Sequence, residues 1–158
     1  SIGAETFSTV TPSLFFGMGM GTLLDSVPYL RPLAVTGTVQ PNFPLAGGQS
    51  DTLTWGVSLQ YNIEYLEDMV KYIGIDPPWK RLIPVVEFPM QTCLNQGCGG
   101  QTTGTINPGL IWWQYYGQLG LEASIPVNRQ SGTGVGVVLE FDLYLDDLFP
   151  FTLGAPIF

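Results

Sequence analysis

The sequence contains no histidine, and only five basic residues stand against thirteen acidic ones. The absence of histidine removes the usual general base of serine and cysteine hydrolases and the commonest metal ligand, so catalytic triads and most metal sites are excluded. With a net charge of −8 and no cluster of lysine and arginine, the chain is not expected to bind nucleic acid, whose phosphates require such a cluster. We therefore expect neither an enzyme nor a protein that carries a cofactor or a metal.

Charged residues of either sign are also scarce, at 11% of 158 residues, whereas 45% are hydrophobic and 13% aromatic. A soluble domain usually carries about 25% charged residues. Long hydrophobic runs are missing too, because no stretch of about 18 apolar residues occurs, and this excludes transmembrane helices. In lipid, a closed β-barrel is the other structure that satisfies its own backbone hydrogen bonds. The composition therefore predicts a membrane β-barrel.

The chain does contain an alternation with a period of two, repeated in seven segments that turn signals separate. In one segment Trp55, Val57 and Leu59 alternate with Gly56 and Ser58. Successive side chains of a strand point to opposite faces, so each strand has one apolar face and one small or polar face, with no charge in the apolar phase. The segments are residues 14–21, 33–40, 54–63, 82–91, 105–112, 118–127 and 134–145. They predict an all-β fold, an antiparallel transmembrane β-barrel or the C-terminal part of one, with about seven to eight strands.

An odd number of strands is a difficulty, because a single-chain bacterial barrel has an even number and an open edge in lipid leaves backbone groups unpaired. Three explanations remain open: residues 4–11 supply a short eighth strand, further strands precede Ser1 in a longer precursor, or a second chain completes the wall. The sequence lacks an initiator methionine and a signal sequence, so we expect a processed form or a fragment. We interpret residues 1–158 as a single outer-membrane barrel domain, incomplete at its N-terminus, with residues 146–158 as a periplasmic tail.

The lengths of the connections predict the orientation, because such barrels have short periplasmic turns and longer outer loops. We place the C-terminus on the periplasmic side of a bacterial outer membrane. The periplasmic connections are then residues 24–31, 64–81 and 113–117, and the outer ones are residues 41–51, 92–104 and 128–133. Amphipathic aromatic rings favour a membrane interface. We expect an aromatic girdle at the periplasmic rim, formed by Tyr29, Tyr61, Tyr65, Trp79, Trp112, Trp113, Tyr115, Tyr116 and Tyr144.

One periplasmic connection is unusually long and carries a helical pattern. Over Glu64–Ile73, apolar residues recur at helical spacing, and Asp76-Pro77-Pro78 then supplies a stop. We predict one short periplasmic helix at the membrane interface.

Four carboxylates share the inward phase of the fourth, sixth and seventh predicted strands. They are Glu87, Glu122, Glu140 and Asp142. They form either an acidic patch that lines a lumen and favours cations, or a structural set hydrogen-bonded to Tyr144, Gln118, Arg129 or other lumen groups, since buried charges must be paired. The structural explanation is the commoner one.

The two cysteines, Cys93 and Cys98, lie close together in a predicted outer loop. Without histidine, a zinc site there would have to recruit carboxylates, which is rare. The periplasm through which the chain passes is oxidising. We therefore expect a disulfide that stiffens the loop, with free thiols as the alternative.

Several stretches of the chain carry a family resemblance. They are Thr11–Gly17, Leu30–Gly37, Gly120–Arg129 and Leu145–Pro150. Together they resemble the C-terminal part of a family of outer-membrane barrels named after the meta pathway of phenol degradation. Gly136–Phe141 is also similar to the terminal-strand signal that the barrel insertion machinery reads. The resemblance covers nearly the whole chain and implies a barrel fold, an outer-membrane location and further strands ahead of Ser1.

Two functions follow from these expectations. The first, which the family name implies, is a channel or transporter for small molecules, apolar or aromatic ones among them. The second is a structural or docking barrel in an outer-membrane assembly, because a barrel of about eight strands is filled by side chains and cannot conduct. A soluble β-sandwich also alternates, and it predicts two apolar faces buried against each other.

Overall fold

The computed structural model describes residues 8–21 and 26–149. Most of them form eight antiparallel strands joined in one sheet. The strands are β1 (Thr9–Val10), β2 (Leu14–Gly19), β3 (Leu33–Pro44), β4 (Thr52–Tyr61), β5 (Leu82–Cys93), β6 (Thr102–Gln114), β7 (Gly117–Pro126) and β8 (Gly136–Leu143). The predicted all-β antiparallel fold is confirmed, and each of the seven alternating segments contains a strand.

β1 and β2 follow each other along the same side of β3 and together form the first row of the sheet. Both strands pair with β3 in the same register. The continued register places Pro12 opposite Pro41, and since proline has no backbone N–H, neither residue donates a ladder hydrogen bond at the interruption. Thr11 Oγ1 donates instead to Asn42 Oδ1, at 2.9 Å. A strand is therefore present in the described part of residues 4–11, as expected. It lengthens the first row of the sheet and does not add an eighth row.

The remaining strands pair in chain order from β3 to β8, so the sheet has seven rows and two edges. One edge is the row of β1 and β2, and the other is β8. Within the described ranges, neither edge pairs with a further strand. Every side chain of β2 is exposed, as is every side chain of β8 except Asp142. Both edges thus present free rows of backbone N–H and C=O groups.

The connections separate into two ends of the sheet. At one end, which we call the helical end, lie the connections 20–32, 62–81 and 115–116 and the chain after Leu143. At the other, the disulfide end, lie the connections 45–51, 94–101 and 127–135. The connections therefore fall into the same two groups that the sequence predicts.

The predicted bounds of several loops are wrong. Loops 41–51, 92–104 and 113–117 are too long, because pairing with neighbouring strands carries β3 and β5 past Pro41 and Thr92 and leaves only Tyr115 and Tyr116 between β6 and β7. Three other connections are longer in the structure than predicted. Connection 24–31 becomes 20–32, of which residues 22–25 lie outside the described part, connection 64–81 becomes 62–81, and connection 128–133 becomes 127–135.

The predicted helix over Glu64–Ile73 is present but shorter. It comprises α1 (Ile63–Tyr65) and a wider helical turn over Leu66–Val70. It ends early because the buried Glu67 carboxylate accepts hydrogen bonds from the backbone N–H of Ile73, at 3.1 Å and 3.2 Å, and of Ile75, at 3.2 Å. These N–H groups are then withdrawn from any helical ladder.

The predicted periplasmic tail begins with a single helical turn. This turn is α2 (Leu145–Leu148), which follows β8 directly. Residues 150–158 of the tail lie outside the described residues. Across the part of the chain that is described, every helix is too short or too polar to cross a membrane.

Candidate functional site

The cross-strand register collects the apolar phases of all strands on one face. Leu82 is paired with Trp112, Trp112 with Leu119, and Leu119 with Phe141. Residues paired directly across an antiparallel sheet lie on the same side of it. We call this side the apolar face. It includes Leu14, Phe16, Val35, Val39, Trp55, Val57, Leu59, Val86, Phe88, Leu110, Trp112, Leu121, Leu139 and Phe141.

The apolar face is open to its surroundings. Leu139 is 70% exposed, Phe141 65% and Leu121 55%. Among the described residues only Leu66 and Val85 are buried hydrophobic side chains, and neither lies on this face. All eight strands of the described residues belong to one sheet, so none of them forms a second sheet over this face. The described residues therefore do not form the β-sandwich that the alternation left open, because a sandwich buries two apolar faces against each other.

The opposite side, which we call the polar face, is the recessed one. Ser58 and Asn107 lie on it and are buried although they are polar. Three hollows of about 460, 480 and 450 Å³ follow this face. Their polar lining includes Thr11, Thr36, Thr38, Asn42, Thr52, Thr54, Ser58, Glu87, Gln91, Thr103 and Thr105. The two buried polar residues of the strands therefore lie on the polar face, whereas the strongly exposed Leu121, Leu139 and Phe141 lie on the apolar face.

All charged residues within the eight strands are carboxylates on the polar face. They are the four predicted residues, Glu87, Glu122, Glu140 and Asp142. No strand contains a lysine or an arginine. The predicted common phase of the four carboxylates is thus a common face in the structure.

Two of the glutamates lie across glycines of neighbouring strands. Glu122 is opposite Gly109 and Glu140 is opposite Gly120. A Cβ atom on Gly109 would collide with the Glu122 side chain, and one on Gly120 would touch the Glu140 side chain. The sequence marks these glycines only as small residues, whereas the structure shows that they provide space for the glutamates.

Asp142 has a side-chain hydrogen-bond partner on the neighbouring strand. Gln118 Nε2 donates to Asp142 Oδ2 at 2.8 Å, and Tyr144 donates its hydroxyl to Gln118 Oε1 at 3.1 Å. Two of the partners suggested from the sequence are therefore present, although Tyr144 reaches the amide and not the carboxylate. Arg129 lies in a turn at the disulfide end, away from this chain of hydrogen bonds.

The carboxylates of the polar face have no cationic partner within the described ranges. Both ion pairs found there involve Lys80, which contacts Glu64 at 3.5 Å and Asp68 at 3.3 Å at the helical end. These two carboxylates raise the pKa of Lys80, chiefly through the hydrogen bond to Asp68. The polar face therefore carries uncompensated negative charge.

The nine aromatic residues predicted as a girdle all lie at the helical end, but they do not share one environment. Tyr29, Trp79, Trp112, Tyr115 and Tyr116 are exposed. The other four, Tyr61, Tyr65, Trp113 and Tyr144, are partly buried. Adjacent Trp112 and Trp113 lie on opposite faces, because Trp112 pairs with Leu119 and Trp113 with Gln118.

The partly buried aromatics contact polar groups at this end. Tyr61 donates its hydroxyl to the Tyr29 carbonyl at 2.8 Å. Arg31 donates to the Tyr65 hydroxyl at 3.4 Å. The Arg81 guanidinium lies 5.8 Å from the centre of the Trp113 ring. These partly buried rings are therefore held by polar contacts.

The predicted disulfide is confirmed at the disulfide end. Cys93 and Cys98 are bonded, with their Cα atoms 5.7 Å apart. Their loop is also tied to the connection 45–51, because Asn95 Nδ2 donates to Asp51 Oδ2 at 2.7 Å and the Asp51 N–H donates back to Asn95 Oδ1 at 3.0 Å. Sequence reasoning missed this second link, since it joins residues far apart in the chain.

Comparison of the chain with known proteins finds no matching family profile, curated protein or solved structure. The described residues also contain no group of three or more histidine, cysteine, aspartate or glutamate side chains arranged to hold a metal ion. The candidate site is the polar face as a whole, because hydroxyls, amides and carboxylates line its hollows.

Proposed function

We propose that this chain forms the wall, or part of the wall, of a bacterial outer-membrane β-barrel whose polar face lines a passage for small molecules. The observation that supports it is the arrangement of the two faces. The apolar face is open to its surroundings, and the polar face carries all charged residues of the strands. This is the order that a membrane barrel requires, with lipid outside and a polar interior. A sheet in water requires the reverse.

The two unpaired edges support incorporation into a larger wall. In lipid, each free backbone group would be unsatisfied, so the row of β1 and β2 and the row of β8 must meet partners. Seven rows are an odd number, and bacterial barrels of one chain have an even number. We propose that further strands, from a segment preceding Ser1 or from a second chain, close the wall.

The aromatic residues of the helical end support its placement at a membrane interface on the periplasmic side. The exposed rings of Trp79, Trp112, Tyr115 and Tyr116 lie where the strands end, and amphipathic rings favour that depth. The resemblance to the barrels named after phenol degradation is in accord with this placement. It suggests small molecules, apolar or aromatic ones among them, as the permeants.

A second candidate is a structural or docking barrel without a conducting pore. Seven rows and little more would give a barrel filled by its own side chains. The connection 62–81 also exposes Met69, Tyr72 and Trp79, each by about two thirds. These residues offer a partner an apolar contact surface at the helical end. The number of strands in the closed wall decides between the two candidates.

The lipid assignment is tested with the neighbouring residues Trp112 and Trp113. Single-tryptophan variants, with the other three tryptophans replaced by phenylalanine, are reconstituted into vesicles of phosphatidylcholine that carries bromine on its acyl chains. Bromine should quench Trp112 strongly and Trp113 weakly, since they lie on opposite faces. Acrylamide in water should give the opposite order. Equal quenching of the two residues by bromolipid would contradict the assignment.

The passage is tested by the conductance of the purified full chain in planar bilayers. Ser58→Cys places a thiol on the polar face, and Val57→Cys places one on the apolar face, whereas the native cysteines are bonded to each other. A charged methanethiosulfonate reagent should reduce the current of the Ser58→Cys variant and leave that of Val57→Cys unchanged. A protein that inserts but carries no current above leak refutes the passage and favours the docking barrel.

A further inference from the structure

Asn107 is the most unusual polar residue of the polar face. It lies in the middle of β6, it is only 7% exposed, and its Oδ1 atom has no hydrogen-bond partner among the described residues. A buried amide oxygen without a partner is uncommon in a folded protein and requires an explanation, for which an unseen water or ion is a standard one. The Asn107 oxygen is therefore free to accept a bond from a bound group.

The surroundings of Asn107 are acidic. Glu87 of β5 is directly opposite it in the register. On its other side, Glu122 of β7 is the diagonal neighbour, at a separation that long side chains bridge. Two carboxylates from different strands thus flank one buried, unpaired carbonyl oxygen.

No lysine or arginine of the described residues pairs with these carboxylates. The eight strands contain no lysine or arginine, and the ion pairs of the described residues lie at the helical end. Sheltered carboxylates are normally paired with a cation or coordinate a metal ion. Carboxylate and amide oxygens are the ligands of hard divalent cations, and calcium in particular accepts irregular oxygen sets completed by water.

We propose that Glu87, Asn107 and Glu122 bind one divalent cation of the calcium type on the polar face, where it bridges β5, β6 and β7. Water supplies the remaining ligands from the hollow that Glu87 lines. This inference rests on the proposed function in one respect, that the polar face is the aqueous side of the wall. It adds to that function a defined cation site halfway along the passage.

The test is direct binding of calcium to the purified full chain in detergent, after treatment with a chelator. Equilibrium dialysis with radioactive calcium should show one saturable site per chain. Glu87→Gln, Glu122→Gln and Asn107→Leu should each weaken binding about tenfold or more, since affinity follows the number and charge of the ligands. Asn107→Asp, which adds a carboxylate, should strengthen it.

The matched control is Asp142→Asn, on the same face. Its carboxylate is already hydrogen-bonded to Gln118, so its loss should change calcium affinity by no more than about twofold. Far-ultraviolet circular dichroism of each variant checks that the sheet is intact. Absence of saturable calcium binding by the intact wild-type protein, or equal weakening by Asp142→Asn and Glu122→Gln, would overturn the proposal.

These experiments test the cation site and the passage independently. A chain that binds calcium but carries no current refutes the passage and retains the cation site. A chain that conducts but binds no calcium retains the passage and refutes the cation site.

Discussion

Along β7, Leu121 and Glu122 are neighbours in sequence and lie on opposite faces of one sheet. Leu121 is more than half exposed and is paired with the still more exposed Leu139, whereas Glu122 lies recessed across Gly109. In a soluble protein the accessibility of these two side chains would be reversed. The described residues thus supply no core that covers these apolar side chains, which supports the proposal that lipid covers them.

The largest expected effect comes from placing a charge on each face in turn. Leu139→Lys puts an ammonium group on the apolar face near the middle of the strands, and we expect it to destabilise the protein in lipid vesicles by about 2–4 kcal/mol. Val138→Lys, one residue away, puts the same group on the polar face directly opposite Glu122. Urea titration of both variants in phosphatidylcholine vesicles measures the difference in unfolding free energy.

This pair of variants separates the two environments sharply. If water covers the apolar face, Leu139 is an ordinary exposed residue, and its replacement should change stability by no more than about 0.5 kcal/mol. A small effect of Leu139→Lys would therefore contradict the proposal that lipid covers the apolar face. An effect of Val138→Lys as large as that of Leu139→Lys would contradict the register that places Val138 beside Glu122.

The strands and their faces were predictable because the signal is local. An alternation such as Trp55, Val57 and Leu59 against Gly56 and Ser58 specifies both a strand and its apolar side without knowledge of any partner. The common face of the four carboxylates follows from the same periodicity. The cysteine pair was predictable from its proximity in sequence and from the lack of a histidine to complete a zinc site.

What was not predictable depends on contacts between segments. The interruption of the first row requires that Pro12 be known to face Pro41, and that is a property of the register between two strands. The early end of the helix requires that the Glu67 side chain turn back onto the backbone of Ile73. The isolation of Asn107 likewise depends on which strands flank β6. A single sequence carries no direct record of such pairings.

A second, smaller effect tests the packing of the polar face. Gly109→Ala places a Cβ atom 2.6 Å from the Leu121 carbonyl oxygen and against the Glu122 side chain. Because backbone must shift to accept it, we expect a loss of about 1–3 kcal/mol. Gly19→Ala is the control, since a Cβ atom there meets nothing within 4 Å. Its effect should stay within about 0.5 kcal/mol. Equal stabilities for the two variants would show that Glu122 does not lie across Gly109.

The smallest effect concerns the two tryptophans at the helical end. The Arg81 guanidinium lies 5.8 Å from the centre of the Trp113 ring, and such a pair contributes about 0.5–1 kcal/mol where it is partly exposed. A double-mutant cycle of Arg81→Met and Trp113→Leu should therefore show a coupling energy of about that size.

The same cycle with Trp112→Leu should show no coupling, because Trp112 lies on the apolar face. Arg81 also donates to Gln114. Within each cycle, that bond is lost in both the Arg81→Met variant and the double variant, so its loss cancels. Coupling of Arg81 to Trp112 would mean that the two faces are not separated at the rim, whereas coupling to Trp113 alone extends the contrast between the faces to the last residues of β6.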